Sequence, residues 1–178
     1  MGEKTRRKFH MNRNSWGAQA ERKVFRMVRE LGKDFAVLNN VQTRYGNIDH
    51  VVIRRDGTIF LIETKSQRGR VTCDGKQLLC NNRPFKRNYI SQIVRNTLWL
   101  KERIKTLAGL KVWVVSILIF PNGSIDACRG KKRQTFWMSQ RIYVIVGRSL
   151  VSFLKTYEPG TRSGRMLRLD IDYLRRSM

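Results

Sequence analysis

One segment limits the folds open to this chain more than any other: Val112–Phe120, apolar throughout except at Ser116. It is too short to cross a bilayer as a helix, which needs roughly 20 residues. It ends at Pro121-Asn122-Gly123, a turn sequence. A short apolar run bounded by turn chemistry reads as a buried strand. The rest of the chain must therefore provide cover for a sheet. Ser15 is a suitable N-cap for a helix running to about Leu31 and closed by Gly32. A second helix spans Asn88 to about Leu107 and ends at Gly109, and a short third one covers Ser149–Tyr157. Further strands read as Phe35–Val41, Ile48–Arg54, Thr58–Lys65 and Arg141–Val146. Arg70–Asn82 reads as a small hairpin turning at Asp74-Gly75, and Ile171–Arg176 as a last helical turn or two. The order α, β, β, β, hairpin, α, β, β, α predicts a mixed α/β domain whose central sheet is covered by helices. At 178 residues the chain has room for one such domain, 15–178, behind a flexible basic arm, 1–14.

Charge narrows the function. Lys and Arg number 37 against 13 Asp and Glu, a formal charge of +24. So many like charges on one domain repel one another unless a polyanion is their normal surrounding. The basic residues are spread along the chain: Arg6, Arg7 and Lys8, then Arg68 and Arg70, Lys86 and Arg87, and Lys131, Lys132 and Arg133. That spread suits a broad electrostatic footprint on a phosphate backbone. Arg44, Arg68, Arg70, Lys86, Arg87 and Arg95 are the candidate nucleic-acid contacts. No basic amphipathic helix with a clean apolar face marks either end, so no membrane partner is expected. The start, MGEKTRRKF, lacks the apolar stretch of a signal peptide, and Arg6 breaks the myristoylation pattern, which predicts a cytoplasmic chain. Cys73, Cys80 and Cys128 form no C-x-x-C and only two histidines are present, so a zinc cluster is not expected. Cys73 and Cys80 flank the hairpin turn, where nothing requires a bridge.

With so few acids, their placement is informative. Most lie in turns, tails or polar stretches. Asp49 instead shares a strand face with Val51 and Ile53, and Glu63 shares one with Ile59 and Leu61, with Lys65 projecting the same way. Two desolvated carboxylates are unfavourable unless a cation or hydrogen bonds compensate. Lys65 supplies one positive charge, and a divalent metal would supply the rest. A purely structural salt-bridge cluster is the alternative.

Register decides whether the two acids meet. A two-residue Asp56-Gly57 turn sets Asp49 opposite Thr64 and facing away from Glu63. A three-residue loop, Arg55-Asp56-Gly57, sets Asp49 directly opposite Glu63 and places glycine where a left-handed residue is wanted. The three-residue loop, or an equivalent bulge, is the prediction. In the first helix Glu21 falls in line with Val24, Phe25, Val28 and Leu31, so it either faces the core edge or pairs on the surface with Arg22 or Arg26. In the second helix Ile90, Ile93, Val94 and Leu98 read as the buried stripe. Gln92 and Asn96 lie one turn apart beside Trp99, either as ligands for phosphate or water or as a plain polar face. His50 points away from Asp49 and reads as packed, and most of the scattered Trp16, Trp99, Trp113 and Trp137 as core.

An acid-bearing helix, G-N-I-D-H at 46–50, I-E-T-K at 62–65 and a helix with Q-x-x-x-N at 92–96 together resemble the NERD (nuclease-related) domain of the PD-(D/E)XK, restriction-endonuclease-like superfamily. The likeness covers about residues 15–157. It implies an α-β-β-β-α-β core and Mg²⁺-dependent phosphodiester cleavage, with Mn²⁺ a substitute. By position, Asp49, Glu63 and the Thr64 carbonyl would hold the metal, and Lys65 would orient the attacking water. Glu21 matches the first-helix acid and Gln92 the glutamine of the later helix; Ala20 departs from a glycine often found there. The expected function is thus a nuclease, on DNA ahead of RNA, with a non-catalytic binding module on the same fold as the alternative. A basic packing protein would leave the carboxylates unexplained.

Overall fold

In the computed structural model, residues 15–73, 77–125, 135–137 and 142–159 are described, the segment 135–137 as backbone only. The arm 1–14, the Asp74-Gly75 turn, Cys128, Lys131-Lys132-Arg133 and the helical turns expected at 171–176 lie outside the described residues. The helices are α1 (Trp16–Arg29), α2 (Tyr89–Ala108) and α3 (Leu150–Thr156), the last entered through a 3-10 turn, Gly147–Ser149. The strands are β1 (Phe35–Thr43), β2 (Gly46–Arg54), β3 (Ile59–Thr64), β4 (Arg70–Cys73), β5 (Leu78–Cys80), β6 (Arg83–Pro84), β7 (Val114–Phe120), β8 (Ser124–Ile125), β9 (Thr135–Trp137) and β10 (Ile142–Val146).

Caps fix the helices where the sequence puts them. Ser15 Oγ accepts the Ala18 N–H at 3.2 Å to open α1, and Asn88 Oδ1 accepts the Ser91 N–H at 2.9 Å to open α2. Gly109, at φ +69°, closes α2 in the left-handed conformation that glycine adopts freely. Helix α1 stops two residues short of Leu31 because the Glu30 N–H turns back onto the carbonyls of Met27 and Val28.

The main sheet has the order β1-β2-β3-β7-β10-β9. Strand β2 pairs antiparallel with both β1 and β3; β3, β7 and β10 pair in parallel, and β9 closes the far edge antiparallel. Every residue of β3 and of β7 is buried, as the apolar run predicts. Ser116 is the interruption in that run, and it has a partner. Thr97 Oγ1 on α2 donates to the Ile93 carbonyl at 2.7 Å, so the Ser116 hydroxyl, 2.7 Å from Thr97 Oγ1, donates to it. Each face of the sheet is covered. On one, Ile93, Leu100 and Ile104 of α2 pack with Val51, Ile59 and Leu61, joined by Val71, Leu78 and Ile125 of the small sheet β6-β5-β4-β8. On the other, Val24 and Val28 of α1 and Leu150 and Leu154 of α3 pack on Val52, Phe60 and Ile62. Each such side chain contributes roughly 1.5–3 kcal/mol of hydrophobic stabilisation.

Two expectations are corrected. Leu98 is 61% exposed, not part of the buried stripe of α2. The helix is rotated so that Asn96 and Thr97 face inward, where their polar partners Glu63 and Ser116 lie. Trp16 is 60% and Trp113 37% exposed rather than core, each lying under a cation: Arg68 at 4.1 Å and Lys101 at 4.8 Å from the ring centroid. Trp99 is partly buried against the core. The short strands β6, β8 and β9 have no counterpart in the sequence reading, because two or three residues carry no period. The register pairs Cys73 with Leu78 and Cys80 with Val71, not the two cysteines with each other. Among the described residues no helix is long and apolar enough to cross a membrane.

Arg54 ties the sheet to the end of α3. Its guanidinium donates to Asp56 Oδ2 at 2.6 Å and to the carbonyls of Leu154 and Tyr157 at 3.1 and 2.9 Å. Those carbonyls are groups that a helix end leaves without intrahelical donors. Arg54→Met is expected to destabilise the fold by about 1–3 kcal/mol, read from the urea midpoint. An unchanged midpoint would show that water replaces the clamp at no cost.

Candidate active site

The turn between β2 and β3 sets the site. The Gly57 N–H donates to the Arg54 carbonyl at 2.7 Å, and the Arg54 N–H to the Thr58 carbonyl at 2.9 Å. Gly57 has φ +83°. This is the three-residue loop, with its left-handed residue last. The ladder then runs from Ile53↔Ile59 to His50↔Ile62, and one further step sets Asp49 against Glu63. Both acids lie on the face covered by α2, together with Val51 and Leu61.

Each acid is held. Asp49 Oδ2 accepts the backbone N–H of Thr64 at 2.6 Å. Glu63 is 1% exposed. Its Oε1 accepts from Asn96 Nδ2 at 2.7 Å, and its Oε2 from Gln92 Nε2 at 3.2 Å and Lys65 Nζ at 3.4 Å. Lys65 Nζ also donates to Gln92 Oε1 at 3.1 Å and lies 4.7 Å from the centroid of the Tyr89 ring. Gln67 Nε2 in turn donates to Tyr89 Oη at 2.6 Å. Gln92 and Asn96 are thus neither a plain polar face nor open ligands; they are the donors that position Glu63. Tyr89 escaped the sequence reading, although it lies one helical turn before Gln92 on the same flank.

The opposite edge of Asp49 carries strain. Pairing between β1 and β2 runs from Asn39↔His50 to Val41↔Ile48 and passes over Asn40 and Asp49. Asn40 has φ +53°, a left-handed conformation that costs an ordinary residue roughly 1–2 kcal/mol. Its side chain is anchored, with Oδ1 accepting from Asn47 Nδ2 at 2.6 Å. The sequence offered only Asn-Asn within an otherwise regular strand as a hint.

Electrostatics bind the groups into one unit. Burial, then repulsion from Asp49, pushes the Glu63 carboxyl up to about 7, against the pull of Lys65 and Asn96. Burial also raises Asp49, opposed by the Thr64 N–H and by Lys65. Glu21 is raised by partial burial and next by Asp49, while Lys65 and Arg22 lower it. Its helix packs on the other face of the sheet, yet its carboxyl lies within the field of Asp49 and Lys65. His50 faces α1, stacks on Phe25 at 6.3 Å and has Nδ1 2.7 Å from Asn39 Oδ1. Burial lowers its pKa to about 4, so it is uncharged at neutral pH.

Two carboxyl groups held above their ordinary range, with one ammonium beside Glu63, are a site whose negative charge, once ionised, a cation would offset. Among the described residues no group of three or more His, Cys, Asp or Glu forms an all-side-chain metal cage. Hard oxygen donors in small number suit Mg²⁺, which keeps several of its waters.

The candidate nucleic-acid contacts fall in separate places around the domain. Arg44 and Arg95 approach the Tyr45 ring at 4.8 and 5.9 Å. Arg68 stacks on Trp16 and shares a cleft with Arg22, Lys23 and Arg26. Lys86 and Arg87 are exposed just before α2, and Arg70 is exposed at the start of β4. Arg22, Arg26 and Tyr45 were not among the contacts expected.

A protein-family model, the nuclease-related domain (NERD), matches residues 16–121, more than half of the chain. The match runs from α1 through β7 and takes in Glu21, Asp49, Glu63, Lys65 and Gln92. No curated protein and no solved structure matches the chain.

The raised pKa of Glu63 has a definite sign. The contribution of this carboxyl to stability is intact below its ordinary value of 4.5 and is lost as pH rises through about 7. Glu63→Gln removes the charge, so without divalent metal the variant is expected to gain stability over the parent as pH rises from about 5 to about 8. Thermal melts of both proteins across that range test this; a constant gap would contradict it.

Proposed function

This chain belongs to the nuclease-related domain family, and on that premise we propose that it is a magnesium-dependent nuclease that hydrolyses phosphodiester bonds, of DNA ahead of RNA. The observation that carries the proposal is the register that sets Asp49 opposite Glu63 beside Lys65.

In this reading Asp49, Glu63 and the Thr64 carbonyl hold the metal. Bound Mg²⁺, or Mn²⁺ in its place, supplies Lewis-acid charge for the phosphoryl oxygens and lowers the pKa of water from about 15.7 toward neutrality. Lys65 has three N–H donors. Two are directed at Glu63 Oε2 and Gln92 Oε1, which leaves one to orient the attacking water or to meet charge developing on the phosphoryl group. Gln92 and Asn96 fix the Glu63 carboxylate, and Glu21 positions water from the α1 side. Arginines and lysines around the site hold the phosphate backbone without reading bases.

A binding module without turnover is the second reading. The observation in its favour is that Glu63 already has three donors and is satisfied by the protein alone. A substrate panel of linear, nicked, branched and single-stranded DNA, and RNA, run with Mg²⁺, Mn²⁺ and EDTA, separates the two. Cleavage is expected with either metal and not in EDTA. Asp49→Ala and Lys65→Ala are each expected to lose at least about 10²-fold in rate while keeping the parent's fold by circular dichroism. Parental activity in both variants would refute the nuclease reading. Binding should also weaken steeply as salt rises, because Lys and Arg release condensed counterions. A flat salt response would count against nucleic acid as the partner.

A further inference from the structure

Of the large apolar side chains that remain exposed, two meet in one groove: Tyr45, 46% exposed, and Leu98, 61% exposed. The groove, about 510 Å³, lies between the tip of the β1–β2 hairpin and one flank of α2, and Arg44, Arg95 and Arg103 also line it. Two-residue closure of the hairpin, Thr43↔Gly46, puts Arg44 and Tyr45 at the tip, and the Tyr45 N–H donates to Thr43 Oγ1 at 3.0 Å. The guanidiniums of Arg44 and Arg95 stand 4.8 and 5.9 Å from the Tyr45 ring centroid. Among the described lining residues the one acid, Glu102, accepts from Lys105 Nζ at 3.4 Å and faces three arginines.

Its position ties it to the carboxylates. Gln92, which touches both Glu63 and Lys65, lies one helical turn before Arg95 and two turns before Trp99, both of which line the groove. On the facing wall, Tyr45 precedes Asp49 by four residues of strand. The groove therefore lies on the same hairpin and helix that carry Asp49 and Gln92, roughly 13 Å of strand from Asp49.

We propose that this groove binds a single-stranded segment of nucleic acid, with an unstacked base on Tyr45 and Leu98 and phosphates on Arg44, Arg95 and Arg103. The proposal rests on the nuclease reading only in taking nucleic acid as the ligand. A ring and an aliphatic side chain interleaved with arginines form a stacking platform, which takes any base because every base has a π-face. The volume falls in the range of a small-ligand pocket, enough to take a splayed base. The preferred ligand would then carry single-stranded character: a flap, a frayed end or a free strand.

The test is fluorescence anisotropy on the full chain in EDTA, where no cleavage occurs, with a short oligothymidylate and a blunt duplex as probes. Tyr45→Ala is expected to weaken oligothymidylate binding about tenfold and to leave duplex binding within about twofold. Leu98→Ala should act in the same direction, and Tyr45→Phe, which keeps the ring, should bind like the parent. No loss in Tyr45→Ala, or an equal loss on both probes, would overturn the proposal. A cleavage assay on the parent protein keeps the two readings apart. Selective loss of single-strand binding in a protein that cleaves nothing removes the nuclease reading and leaves the groove. Cleavage with no effect of Tyr45→Ala does the reverse.

Discussion

Two carboxylates that would separate in water are brought together because one glycine takes a left-handed turn. With Gly57 at φ +83°, the β2–β3 loop has three residues, and the alternation of side chains puts Asp49 and Glu63 on one face. A slip of one residue would move an entire strand's side chains to the opposite face. The repulsion that results is contained by its surroundings. The Thr64 N–H holds Asp49, while Asn96, Gln92 and Lys65 hold Glu63.

That containment shapes α2. A helix covering a sheet ordinarily turns its most apolar stripe inward. Here Asn96 and Thr97 occupy inward positions, and Leu98 is left in water. The inward polar pair is stable because each has a specific partner, Glu63 for Asn96 and Ser116 for Thr97. Replacing either partner with a hydrocarbon would leave a buried donor or acceptor unmatched, which is costlier than never having placed it there. The orientation that serves Glu63 is also the one that turns the Leu98 flank toward the hairpin tip and forms the groove with Tyr45.

Features governed by local periodicity were legible in the sequence. The apolar run marked β7, alternation marked β2 and β3, and Ser15, Asn88 and Gly109 marked helix ends. The convergence of Asp49, Glu63 and Lys65 was legible too, because a hairpin's register follows from its loop alone. What eluded the reading was set by contacts distant in sequence. The direction of α2 depends on Glu63 and Ser116, from two other elements, so helical spacing alone favoured Leu98 over Asn96. Trp16 and Trp113 looked like core by composition, but their rings cover cationic side chains at the surface. The left-handed Asn40 breaks the ladder beside Asp49 in a stretch that otherwise reads as plain strand.

The parallel pairing of β3 with β7 carries a consequence for how the chain comes into being. The backbone N–H of Lys65 donates to the Ile119 carbonyl at 2.9 Å, and α2 lies between the two in sequence. The β2–β3 hairpin is local and can close early, whereas a parallel pairing across a helical crossover closes late. A chain still emerging from the ribosome would therefore display both acids in a solvated hairpin, at ordinary acidity and with a loosely held amine. The buried setting of the two acids would be complete only once the distant strand has docked.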